Sequence, residues 1–68
     1  MIEKQKLLFD QAIEFHKKKD LSNAQLKYEE ILKLNPNNAE AYVNLGVIFK
    51  TKGDLNTAIK CYLQGIKL

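Results

Sequence analysis

The sequence predicts an all-α fold: four helices arranged as two tandem helix-turn-helix hairpins. Three observations predict it. The stretch KKDLSNAQLKY at 18–28 returns as KGDLNTAIKCY at 52–62, 34 residues further on. Apolar residues recur at three- and four-residue spacing through both copies, and no stretch alternates with period two. The one proline, Pro36, falls between the copies with asparagines on both sides.

Shifting the chain against itself by 34 pairs Phe15 with Phe49, Lys18 with Lys52, Asp20 with Asp54 and Leu21 with Leu55. It also pairs Ala24 with Ala58, Tyr28 with Tyr62, Lys33 with Lys67 and Leu34 with Leu68. Eight identities stand where chance gives roughly two, and a fixed period of this size marks a repeat architecture. The expected organisation is one domain over 1–68, with repeat one at about 5–38 and repeat two at about 39–68, the second ending without a capping helix.

The elements come in order. Leu8, Ala12 and Phe15 lie at i, i+4 and i+7, which predicts a first helix near 3–18. Asp20 suits the N-cap of a second helix at 21–34, whose stripe is Leu21, Ala24, Tyr28 and Leu32. NPNN at 35–38 breaks the pattern, since proline disfavours helix at the residue before it and asparagine can cap the helix after it. Tyr42, Leu45, Gly46 and Phe49 predict a third helix at 39–52. Asp54 then caps a fourth at 55–68, with Leu55, Ala58, Tyr62 and Ile66 as its stripe.

Composition narrows the function classes. At 68 residues the core is marginal, burying only about 60% of the unfolded surface. The net charge of +3 rests on 11 lysines and no arginine, a poor match to nucleic-acid readers, which lean on the planar guanidinium. The run at 17–19 reads as a solvated helix end. A single cysteine excludes an intramolecular disulfide and fits a reducing compartment. With no apolar run suited to a signal peptide or a membrane span, the expectation is a soluble, cytoplasmic protein with no membrane or nucleic-acid partner.

Tyr42-x2-Leu45-Gly46-x2-Phe49, followed by Ala58-x3-Tyr62, resembles the tetratricopeptide repeat, whose pattern is W-x2-L-G-x2-Y, then A-x3-F, then P. The first unit, with Leu8-x2-Gln11-Ala12-x2-Phe15, Ala24-x3-Tyr28 and Pro36, is similar more loosely. Gln11 stands where the pattern has leucine, and Lys19 where the second unit has Gly53 at its turn. The resemblance implies a short right-handed α-solenoid and a non-enzymatic protein–protein interaction module. Small residues at Ala12, Ala24, Gly46 and Ala58 let paired helices approach closely, with Phe15, Phe49, Tyr28 and Tyr62 filling the space around them.

The resemblance places the binding surface on the concave face. Lys6, Phe9, Ile13, His16 and Lys17 turn toward it from the first helix. Glu40, Val43, Asn44, Val47, Lys50 and Thr51 do so from the third. Phe9, Ile13, Val43 and Val47 form an apolar floor, partly used in packing between units, with lysines at its edges. That surface suits a peptide or partner protein with acidic flanks. Asn44 is in register with the asparagine through which superhelical tetratricopeptide domains hold a peptide backbone. It reads equally as an exposed polar residue, and Asp10 takes its place in the first unit. Phe9 and Ile13 replace two of the groups with which the chaperone-tail variety grips a carboxylate.

Chemistry finds little footing. One histidine and one cysteine make no metal-ligand spacing, and Gly46, Gly53 and Gly65 form no phosphate loop. His16 reads as solvated and Cys61 as partly exposed, so no cofactor and no catalytic residue is expected. Two alternatives stand beside the interaction module. One is a self-assembly element, in which Ile59, Tyr62, Leu63 and Ile66 meet a second copy as a homodimer. Lys19, lacking glycine's freedom, permits a domain-swapped form of it. The other is a fragment of a longer repeat protein, such as a glycosyltransferase-type enzyme.

Overall fold

The computed structural model describes residues 2–68; Met1, counted in the expected single domain, lies outside them. The element order is α1 (Ile2–Lys17), α2 (Leu21–Leu34), α3 (Ala39–Thr51) and α4 (Leu55–Lys67), with no strand among the described residues. Each boundary falls within a residue of its expected place. Helices adjacent in sequence pack on one another, α1 on α2, α2 on α3 and α3 on α4, forming a layer about 31 × 29 × 13 Å.

The internal repeat is reproduced hydrogen bond for hydrogen bond. The Asp20 N–H donates to Phe15 O at 2.9 Å and Lys19 N–H to His16 O at 3.0 Å. Asp54 N–H donates to Phe49 O and Gly53 N–H to Lys50 O at the same two distances. These bonds close a Schellman motif, which calls for a left-handed residue at its turn. Gly53 supplies it at φ 90°, and Lys19 supplies it at φ 63°. The first hairpin therefore makes the same turn as the second despite lacking glycine. The residue that ends each motif also starts the next helix: Asp20 accepts from the Asn23 N–H, and Asp54 from the Thr57 N–H. Between the units, Asn38 caps α3 by accepting from the Ala41 N–H at 3.0 Å.

One core runs through both hairpins. Leu8, Ala12, Ala24 and Leu45 are buried as their stripes require, but so are Ile31, Ala41 and Ile48, which lie on none of the expected stripes. They seal α2 against α3. The 34-residue period hides them. Leu7 and Glu14, the counterparts of Ala41 and Ile48, lie exposed on a face of α1 that stacks on no hairpin, and Gly65, the counterpart of Ile31, has no side chain to signal burial. In α4 the departure runs the other way. Leu55, expected beside Ala58, is exposed, as is Ile66, because both turn away from α3, the helix on which α4 packs.

Close approach between α3 and α4 depends on glycine twice. A Cβ on Gly46 would stand 2.6 Å from Cε1 of Tyr62, so the aromatic ring rests directly on the bare backbone of α3. A Cβ on Gly65 would meet Val43 Cγ2 at 3.0 Å and the Ala39 carbonyl oxygen at 3.2 Å.

Candidate functional site

Because α1 and α3 both lean on α2 without pairing with each other, a cleft opens between them. It encloses about 430 Å³ and is lined by Ile13, His16 and Lys17 from α1, Glu40 and Asn44 from α3, and Tyr28 from α2. Tyr28 is its floor. Only 1% of that residue is exposed, and the edge of its ring meets Phe9 with centroids 5.9 Å apart and planes at 68°. An edge-to-face pair of this kind adds about 0.5–1.5 kcal/mol beyond the buried area and fixes the ring's position. Burial pushes the Tyr28 phenol above its ordinary range; the approaching Asn44 side chain pulls it down, and the Glu40 carboxylate pushes it up.

Five of the eleven sequence-predicted concave residues therefore share one site: Ile13, His16, Lys17, Glu40 and Asn44. Phe9 instead turns inward to hold Tyr28. Val43 leans its methyl group onto Gly65 of α4, leaving its outer side exposed with Val47. Lys6 and Lys50 are exposed on the same helices without lining the cleft. His16, read from sequence as solvated, is half-buried and lines this cleft and a neighbouring one beside Lys19, Leu21 and Thr51.

Tyr28 was the residue missed. Sequence placed it as hairpin filling, and its i+4 spacing from Ala24 suggests nothing else. A second signal existed in Phe9, an aromatic on the groove-facing stripe that needs a large partner to cover it. Cys61 is half-buried against the core, and burial, then the Asp54 charge, raises its thiol above the usual range. Among the described residues no group of three or more His, Cys, Asp or Glu gathers to hold a metal. Nor is any described helix long and apolar enough to cross a membrane.

The family model of the tetratricopeptide repeat matches residues 27–60, half the chain, running from the middle of α2 through α3 into α4. The chain belongs to the tetratricopeptide repeat family. The matched window straddles the junction of the two hairpins, so Ile31, Ala41 and Ile48 of the shared core lie inside it. No curated protein of similar sequence is matched. Tetratricopeptide repeats are a general protein–protein interaction motif, and the family is typically non-catalytic.

Proposed function

We propose that this tetratricopeptide domain binds an extended peptide segment of a partner protein across the cleft between α1 and α3. The observation that supports the reading is the cleft's make-up: a fixed aromatic floor with an amide beside it. Tyr28, held by Phe9 and almost wholly buried, fixes the base of the cleft, Ile13 supplies its exposed apolar wall, and a preformed cleft of a few hundred Å³ suits a ligand. Asn44 stands over that floor with both donor and acceptor capacity, which lets it read a peptide backbone without demanding a sequence.

Charge suggests the flanks. Lys17 and His16 form one wall, with Lys6 and Lys50 exposed further along the same helices, while Glu40 is the one acidic group in the lining. A segment with an apolar or small centre and acidic flanks meets these groups best.

The experiment is selection of a displayed random-peptide library against the 68-residue chain, with calorimetric titration of the enriched peptides. Asn44→Ala is expected to weaken binding by about 1–3 kcal/mol with helicity unchanged, since a buried ligand backbone group loses its partner. Equal affinity for both proteins removes Asn44 from the site. A library that enriches nothing, or peptides indifferent to Ile13→Glu, overturns the cleft.

A further inference from the structure

The arc of α4 that faces away from α3 is a second apolar surface, separate from the cleft. Leu55 is 58% exposed, Ile59 54%, Leu63 52% and Ile66 78%. At 100° per residue these four fall within one sector about 80° wide, bordered by Tyr62, whose ring packs on Gly46 of α3. That sector contains no charged residue: Lys60, Gln64 and Lys67 all lie outside it. Ala58 and Gly65, beside it, are buried on α3.

We infer that this arc of α4 pairs with the same arc of a second copy, forming a closed two-fold dimer. Two surfaces of the chain compete to cover it, and the internal repeat shows how each would fit. In the junction between hairpins α3 packs on α2, and Ala41 and Ile48 of α3 are completely buried. Head-to-tail stacking of copies would set α1 against α4 in the same way. One period back from Ala41, Ile48 and Asn44 stand Leu7, Glu14 and Asp10. Where the natural junction buries an isoleucine completely, the head-to-tail one would bury a carboxylate with another beside it. Nothing basic on the α4 arc would pair with them, and an unpaired buried charge is strongly disfavoured.

The α4 arc meets no such penalty against itself. In an antiparallel pair Leu55 runs toward Ile66 of the second copy, and Ile59 and Leu63 lie near the axis. A self-complementary patch closes after two copies. The exposed side chains offer on the order of 500 Å² per copy, about 1,000 Å² for the pair, which reaches the lower bound for a specific interface. A weak, concentration-dependent dimer is expected.

Sedimentation equilibrium of the 68-residue chain, from micromolar to hundreds of micromolar, reads this directly. The expected result is a shift from the 7.8 kDa chain to a plateau at twice that mass. Leu63→Glu, at a site already half in water, is expected to weaken association about tenfold or more while helicity by circular dichroism stays constant. Leu26→Glu, on α2 at a leucine 55% exposed but outside the arc, is expected to leave the dimer unchanged. A monomer throughout the range overturns the inference and leaves the arc to a different partner. Masses that keep growing, or a loss with Glu14→Lys as large as with Leu63→Glu, overturn it in favour of head-to-tail stacking. Equal weakening by Leu26→Glu reduces the association to nonspecific adhesion and overturns it as well.

Discussion

Gly46→Ala tests the packing of the second hairpin through a change of sign. In an isolated helix the substitution stabilises by up to about 1 kcal/mol, because glycine loses more backbone freedom on folding. Here the new methyl would stand 2.6 Å from Cε1, 2.8 Å from Cδ1 and 3.0 Å from Cζ of Tyr62. Carbon atoms pack best at about 3.5–4.0 Å, so the ring must retreat by about 1 Å, and a gap of that size forfeits a quarter to a half of its contact energy. Overpacking of this kind costs about 1–3 kcal/mol. Set against the helix gain, the net expectation is a loss of about 1 kcal/mol, a fall in melting temperature of about 4–8 °C for a domain this small. In a Tyr62→Ala background the obstacle is gone, and the same substitution should stabilise by about 1 kcal/mol. Urea denaturation of the four proteins closes the cycle, with an expected coupling of about 1–3 kcal/mol. Equal stabilisation in both backgrounds would refute the reasoning, because the Tyr62 ring would then be swinging aside without loss.

Three further outcomes are expected. Ala58→Leu overpacks the buried side of α4 and should cost about 1–3 kcal/mol; a thermal melt like the parent's would move Ala58 out of the interface. Gly53→Ala places a side chain at φ 90° with nothing within 4 Å of it, so the loss of about 1–2 kcal/mol seen by urea denaturation is purely backbone strain; no loss would mean that the turn relaxes. Acid and base act at different places. The Asp54 carboxyl is held below 3.8 by the Thr57 hydroxyl and then the Thr57 N–H, so its contribution is present above that pH and is lost as pH falls through its lowered value. The Tyr28 phenol lies above 10.0 through burial, so its contribution is complete below pH 10 and is lost as pH rises through its raised value. Unfolding titrations on both limbs check the signs: Thr57→Val should flatten the acid limb, and Tyr28→Phe the alkaline one. An unchanged limb in either variant contradicts its assignment.

The four helices and their ends were legible in the sequence because each depends on local chemistry. Asp20, Asn38 and Asp54 cap the helices they precede, and helical spacing marks Leu8, Ala12, Ala24 and Leu45 as buried. The 34-residue period carried the rest of the hairpin geometry, including the turn at Lys19, since a repeated pattern repeats its hydrogen bonds. What only the tertiary structure decided is whatever breaks that period. Ile31, Ala41 and Ile48 are buried because two hairpins stack there, while Leu7 and Glu14 hold the places matching Ala41 and Ile48 on a face with no hairpin beside it. Likewise the candidate cleft has a floor from α2, because Tyr28 reaches between α1 and α3 while Phe9 turns in to meet it. Spacing along one helix states which residues share a face. It cannot state which face a neighbouring hairpin will cover, because that depends on contacts between residues far apart in the chain.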